Sequence, residues 1–535
     1  MNLSSEFVER YQEYLQHNCP DLDSDSLSRL ASSLESTSWD EPTSATDLNN
    51  FAVVAMIEAE QSQDPALREI YLGMALEALN NGVELYAHPM CTAHLALLLA
   101  MTGEMEQARQ ITFPCFINTL QFVYSETEKI PLCIVYLPPT TSYLKNLQNE
   151  QLTQILQAKD GYTQSLLMLS EALCCSQLVL YSEMGLRLLQ LASQLFPDSV
   201  HINFKLAISQ LGNKQWEGLL YLHRARQLAP DSVRILQALY LAYQDLQEIE
   251  VANYWRSIAQ DIRPHNFNSV DWLWTNLEVN AHLTYIPFET DLILAVEPSF
   301  RSIVTSVLMA EGDWFEKEME LWRNWIKPGM TVIDVGANVG VYTFSAAQRV
   351  GSTGCVLAVE PFSGCVRCLQ ETCKINQLNM VKVCEGAASD RNGTAQLTVY
   401  TASELNEIVT DDVAQTMPSG SFEDVSCFTL DSLVEQEKLS KVDFLKMDAE
   451  GHELAVLAGS NKILSEFFPV ILYENIAGSK GSNLPVADYL REKGYQLFRY
   501  QPYVQKYIHI ASVEDLKQPL NLVAIPFNKI SQFNI

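Results

Sequence analysis

From Phe51 to about Ile262 the apolar positions recur with the helical period in nearly every window, which predicts an all-α region. One stretch departs from it, the apolar run Leu132 to Leu137, which reads as a strand. After Leu283 the pattern changes. Ile286, Phe288, Leu292, Leu294 and Val296 alternate with polar residues and predict a hairpin. Gly312 to Glu316 open a helix carrying Leu321, Trp322 and Trp325, which Pro328-Gly329 ends. Val332, Ile333 and Val335 then form a β-branched run of the kind buried on both faces of a parallel sheet, followed by a glycine turn and a helix from Val341 to Arg349. Further strands are predicted at Gly354–Pro361, Met380–Cys384, Thr394–Tyr400, Val425–Leu430, Val442–Asp448 and Pro469–Glu474, with Leu497–Tyr500 and Leu522–Ile525 as closing strands. The polar stretch Thr401 to Asp424 has the length of a mobile loop or a lid.

This pattern divides the chain into an acidic, partly helical segment at 1–50, a helical domain at 51–265, a lead-in hairpin and helix at 266–330 and an α/β domain at 331–535. Within the helical domain Pro197, Pro230 and Pro264 follow one another at 33 and 34 residues, each preceded by an alanine (Ala192, Ala225, Ala259), and two of them open the phrase Pro-Asp-Ser-Val. That period resembles the tetratricopeptide (TPR) repeat, in which stacked helix pairs approach through small residues. Leu239, Tyr243, Leu246, Ala252, Ala259 and Pro264 stand in matching places, while Gln247 stands where the family usually has glycine. Such an array offers a surface for a protein partner or the acceptor and carries no recognisable chemistry of its own.

The chemistry sits in Thr331 to Thr343. Asp334 sits near the C-terminal end of the strand, and the spacing Asp334-x-Gly336-x-x-x-Gly340 differs from the Gly-x-Gly-x-x-Gly that lets a pyrophosphate approach. A ligand without phosphates fits it better, and S-adenosylmethionine (SAM) is such a ligand. Glycines allow positive φ and close approach to bare backbone, Ala337 lies within the turn, and Asn338 is placed to cap the following helix. Glu360, twenty residues past Gly340, ends the second strand and suits the two ribose hydroxyls; adenine is expected beside the turn Gly386 to Asp390, which brings in Ala387 and Asp390. Asp448 and Glu474 end two further strands, so four acids are expected on one sheet rim, where open α/β sheets bind ligands.

Length and composition narrow the reading. A chain of 535 residues should hold more than one domain. A net charge of −30 argues against nucleic acid and anionic membrane surfaces. The start lacks a signal-peptide core, and no stretch is apolar for the roughly 18 residues of a membrane span, which points to a cytoplasmic protein. Twelve cysteines in such a chain are no disulfide framework, and Cys365, Cys368 and Cys373 fall along one helix as buried thiols rather than zinc ligands.

From about Ile286 to Pro526 the chain resembles the FkbM family of SAM-dependent methyltransferases. The matching phrases are EGDWFEKE (Glu311 to Glu318), VIDVGANVGVYT, AVEP, TLDSL and KMDAEGHELAVLAG (Lys446 to Gly459). The resemblance implies a class I, Rossmann-like fold with a mostly parallel seven-stranded sheet, and O-methylation of a hydroxyl on a sugar, glycan or polyketide-type product. Carried over by position, Asp334, Gly336, Asn338, Gly340 and Glu360 would hold the cofactor and Asp448 would sit near the transferable methyl. A base helps an alcohol attack; His452 has the natural pKa, with Asp448 and Glu450 as the other candidates. Asp448, Glu450, His452 and Glu474 also make a magnesium site conceivable, although the reading adopted has no metal. Two rivals stand beside the enzyme: an interaction scaffold with a methyltransferase fold that does not turn over, and a nucleotide-sugar or NAD-linked oxidoreductase, which the missing Gly-x-Gly-x-x-Gly disfavours.

Overall fold

The computed structural model describes residues 3–533 apart from 21, 124–128, 140–144, 177–182, 264–269, 278–281, 401–402, 409–421, 477–481 and 518. The chain forms two compact units, Met1–Leu239 and Tyr240–Ile535.

The first unit is helical. Its elements are α1 (Leu3–Asn18), α2 (Ser24–Ser36), α3 (Ala45–Gln61), α4 (Pro65–Tyr86), α5 (Pro89–Met101), α6 (Met105–Val123), α7 (Lys145–Leu156) and α8 (Gly161–Ser176). After these come α9 (Glu183–Leu195), α10 (Val200–Gly212), α11 (Gly218–Leu228) and α12 (Val233–Asp245), the last containing the unit boundary. Helix α13 (Ile249–Ile262) follows. The small residues of the repeat do what helix packing asks of them: Ala192, Ala225 and Ala259 are fully buried. Pro197 lies between α9 and α10 and Pro230 between α11 and α12, whereas Pro264 is outside the described residues. Three helices end alike, with a left-handed residue at Gly103, Lys214 and Gln247 (φ 90°, 61° and 63°). In each, the next N–H (Glu104, Gln215, Glu248) donates to the carbonyl five residues back (Leu99, Gln210, Tyr243). Gln247 thus holds the conformation that a glycine adopts without strain.

The apolar run Leu132 to Leu137 is extended and buried, but it is not a strand: among the described residues it pairs with no other extended segment. Side chains satisfy its backbone instead. Gln164 on α8 accepts from Cys133 N–H and donates to its carbonyl (2.9 and 3.0 Å). Asn50 on α3 accepts from Ile134 N–H at 3.1 Å, and Asn49 donates to Ile134 carbonyl at 3.0 Å. Tyr11 and Tyr14 on α1 each accept an N–H and donate to the carbonyl of the same residue, Val135 and Leu137 respectively. His94 on α5 takes Tyr136 N–H on Nε2 at 3.1 Å, so the ring proton sits on Nδ1, 2.8 Å from Asn49 Oδ1. Ser33 on α2 donates to Leu132 carbonyl. Buried backbone needs partners, and here they come from five helices.

The second unit is α/β. The alternation after Leu283 forms the antiparallel hairpin β1 (Thr284–Phe288) and β2 (Leu292–Val296). Helices α14 (Ile303–Glu311) and α15 (Glu318–Trp325) lead to β3 (Thr331–Val335), α16 (Val341–Val350), β4 (Cys355–Glu360), α17 (Ser363–Ile375) and β5 (Val381–Glu385). The later strands are β6 (Ala387–Ala388), β7 (Gly393–Thr398), β8 (Phe422–Phe428), β9 (Phe444–Met447), β10 (Val470–Glu474), β11 (Tyr495–Gln501), β12 (Lys506–His509) and β13 (Asn521–Pro526). The main sheet has eight strands in the order β12-β11-β13-β10-β9-β3-β4-β5. Strands β10, β9, β3, β4 and β5 run parallel, while β13, β11 and β12 join antiparallel. The sheet is therefore mixed and eight-stranded, not mostly parallel and seven-stranded. The additional strand, β12, is four residues long and returns on β11 through a turn with Tyr503 and Gln505 at positive φ, too short a segment for alternation to announce. The runs at Thr394 and Val425 form a separate sheet, β6-β8-β7. Beneath the parallel strands Ile333, Val335, Leu357, Leu445, Met447, Val456, Leu457 and Ile471 share one core.

Candidate functional site

Parallel pairing sets β3, β4, β9 and β10 with their carboxyl ends at one rim. Glycine lets two of the loops there touch. A Cβ on Gly336 (φ 72°) would lie 1.8 Å from the carbonyl oxygen of Asp448, so the turn after β3 packs directly on the loop after β9. On Gly340 (φ 100°) it would meet the Phe344 ring. Both glycines therefore serve close packing within the protein. Gly336 and Ala337 N–H both donate to Val359 carbonyl, which ties the turn to β4.

Glu360, nearly buried at the end of β4, organises the next contact. Its Oε2 accepts from Asn338 N–H and its Oε1 from Phe362 N–H, both at 2.8 Å, and Gly386 N–H donates to its carbonyl at 3.0 Å. Asn338, Glu360 and the turn before Ala387 are thus brought together. Burial pushes the Glu360 carboxyl up to about 7 against the pull of those two N–H groups. Asn338 does not cap the helix as expected: at φ 48° its Oδ1 accepts from Val339 N–H at 2.7 Å, and α16 begins after Gly340 without any side-chain cap. Ala387 is buried in β6. Asp390 lies outside this group, half-exposed beside Arg391 (3.4 Å) and accepting from Ser389 Oγ at 3.2 Å. Of the expected lid, Ser403–Leu405 is a short helix whose Ser403 lies 3.5 Å from Asn338 Nδ2 and donates to Glu297; 409–421 are outside the described residues.

A second group surrounds Lys446. Asp334 is fully buried; its Oδ2 accepts from Thr343 Oγ1 at 2.6 Å, and Oδ1, which has no hydrogen-bond partner, lies 3.8 Å from Lys446 Nζ. The same ammonium donates to Asp448 Oδ2 at 3.2 Å and stands 4.7 Å from the centre of the Tyr342 ring. Burial acts to lower the lysine, but Asp448, Asp334 and Glu316 outweigh it and hold it charged. Asp448, Glu450 and Glu474 each place a carboxylate oxygen within 4.8 Å of the others. Burial, then the charges of Asp448, Glu450 and Glu453, push Glu474 up to about 10. Glu453 braces the loop from beneath: it accepts from Ala449 and Gly451 N–H and from Asn483 Nδ2.

His452 is not in that cluster. Its Nε2 lies 3.0 Å from Ser389 Oγ, its nearest charges are Asp390 and Arg391, and burial lowers its pKa. The sequence reading passed over Glu316, whose Oε2 accepts from Tyr342 Oη at 2.6 Å and Asn521 Nδ2 at 3.0 Å. It also assigned no role to Lys446 or Tyr342. The signal was present, since Glu316 lies in the EGDWFEKE phrase and Lys446 two positions before Asp448.

The cradle fits SAM in three respects: Glu360 retains acceptor capacity beyond its two N–H partners, α16 presents an uncapped start, and Asp334 Oδ1 is a buried acceptor without a donor.

No curated protein matches the chain. Among solved structures, the FkbM methyltransferase of Methylobacillus flagellatus KT is 15% identical with a TM-score of 0.25, over 42% of this chain and 53% of that one. A SAM-dependent methyltransferase from Aquifex aeolicus is 19% identical with a TM-score of 0.23, over 39% and 89%. An O-methyltransferase from Bacillus cereus, in complex with SAH, is 16% identical with a TM-score of 0.24, over 40% and 82%. The segment that carries the glycine turn, the four acids, β9 and β10 matches a family model described as the methyltransferase FkbM domain, over residues 334–497.

Proposed function

We propose that the protein is a SAM-dependent O-methyltransferase acting on a hydroxyl of a sugar, glycan or polyketide-type product. The observation that carries this reading is the FkbM methyltransferase domain at 334–497, whose first residue, Asp334, opens the glycine turn. Glu360 would take the ribose hydroxyls, the turn Gly336-Ala337-Asn338 through Gly340 and the start of α16 the amino acid end, and Ala387, with Asp390 farther out, the adenine side. When bound, SAM supplies an electrophilic methyl on a sulfonium. The chain's own part is to hold an acceptor oxygen in line and keep water out. Asp448 and Glu450 border the acceptor side; His452 is engaged with Ser389 and sits nearer the adenine side. The helical unit would recruit a protein partner or present the acceptor. Twelve cysteines in a chain of this length are no disulfide framework and suit a reducing, cytoplasmic setting, and among the described residues no helix is long and apolar enough to cross a membrane.

Calorimetric titration of the full chain with SAM, beside an Asp334→Ala/Glu360→Ala double variant, tests the reading. Binding that the double variant loses supports it. A full chain that binds no SAM overturns it and leaves the scaffold.

A further inference from the structure

Four carboxylates near the acceptor side, Asp448, Glu453, Glu474 and Glu316, are committed to different extents. Asp448 is paired with Lys446, which also faces Asp334. Glu453 spends both oxygens on its own loop and Asn483. Glu474 is raised by burial and by the charges of Asp448, Glu450 and Glu453, which favours its neutral form. Glu316 differs. Tyr342 Oη and Asn521 Nδ2 fix its carboxylate through Oε2. A carboxylate has about four acceptor sites, so room for another donor remains. The anchors reach the rim from two directions: Tyr342 from the first turn of α16, directly after the glycine turn, and Asn521 from β13, opposite Glu474. Burial raises the Glu316 carboxyl, Lys446 pulls it down and Asp448 adds to the rise.

Resting on the methyltransferase reading, we propose that Glu316, held by Tyr342 and Asn521 within reach of the charges of Lys446 and Asp448, is the catalytic base and takes the proton of the acceptor hydroxyl. The acceptor O–H bond breaks with its electron pair left on oxygen, a new O–H bond forms on the carboxylate, and the proton then leaves to water. Glu318, next in the same phrase and pushed up to about 7 by burial and by Glu316, is the neighbouring carboxylate that could substitute for it.

A binding experiment tests this without knowing the acceptor. Sinefungin carries an ammonium where SAM carries its methyl, whereas S-adenosylhomocysteine (SAH) carries nothing there. Calorimetry on the full chain should show sinefungin bound about tenfold or more tighter than SAH, the worth of a charged hydrogen bond. Glu316→Gln keeps the shape and both anchors; it should lose most of that preference and leave SAH affinity unchanged. Glu318→Gln should keep the preference. Several results overturn the assignment: equal binding of the two ligands by the unsubstituted chain, a preference that survives Glu316→Gln, one lost in Glu318→Gln instead, or equal loss of both ligands in a Glu316→Gln chain whose melting is unchanged. If Glu316→Gln does not fold, Tyr342→Phe decides: releasing the anchor should weaken the sinefungin preference several-fold at constant SAH affinity, and no change overturns the proposal. Absence of SAH and SAM binding in the unsubstituted chain defeats the methyltransferase reading itself, a separate outcome.

Discussion

Two buried extended segments, Leu132 to Leu137 in the helical unit and β3 in the α/β unit, have the same conformation and nearly the same burial. They are held in opposite ways. Strand β3 lies between β4 and β9, and its N–H and C=O groups meet other backbones. The helical unit's segment meets side chains: two tyrosines, two asparagines, a histidine, a glutamine and a serine. A backbone ladder survives almost any change of side chain, because every residue offers the same groups. A side-chain ladder depends on particular residues. Losing one leaves a buried polar group without a partner, at about 1–3 kcal/mol.

The largest effect should come from the turn after β3, where the backbone itself is the constraint. Gly336→Ala forces a side chain into left-handed backbone and against the Asp448 carbonyl. We expect a loss of about 3 kcal/mol or more and no calorimetric binding of SAM. Wild-type binding in that variant would show that the two loops separate easily. Next comes the direct contrast. Asn50→Ala orphans Ile134 N–H and removes hydrogen bonds to Thr37 and Ser33, and should cost about 3 kcal/mol. Ile333→Val in β3 trims one methyl group under an intact ladder and should cost about 1 kcal/mol. Equal costs, read from hydrogen exchange in each unit, would erase the distinction.

Near pH 6 the smallest effect is a pH dependence in the helical unit. Burial lowers His94 to about 3, and its Nε2 must stay unprotonated to accept from Tyr136 N–H. Between pH 6.5 and 3 the unfolded chain therefore binds the proton that the folded chain refuses. The contribution of His94 is complete above the ordinary histidine pKa and declines on acidification by up to about 1.4 kcal/mol per pH unit. Exchange of the Tyr136 amide should accelerate across that window, and Asn49→Ala, which frees Nδ1, should alter the slope. A flat profile would mean that the ring does not hold the segment.

The same contrast explains what could be read from residues alone. Strand β3 was legible because its signals are local: β-branched residues, an acid, a glycine turn and a helix in sequence. Glu360 was legible for the same reason. The apolar run at 132–137 announced its extended shape but not its partners, which lie as far away as Tyr11, 124 residues earlier. Asn338 was misread as a helix cap because its positive φ turns its side chain onto Val339 N–H, a backbone detail that no spacing reveals. Strand β12 escaped because four residues show no period. Glu316 and Lys446 were quoted within motifs, yet what singles them out, the anchoring by Tyr342 and Asn521 and the shared pull of Asp334 and Asp448, exists only after folding.

The segment at 132–137 also changes what the first fifty residues are. As letters they are a serine-rich, acidic preface. Yet Tyr11, Tyr14, Ser33, Asn49 and Asn50 all come from it and all grip a segment encoded some eighty to one hundred and twenty residues later. Trimming the chain at residue 51 would not remove a tail but pull the pegs from a peg-and-hole joint, and the helices left behind would have lost the reason for their order.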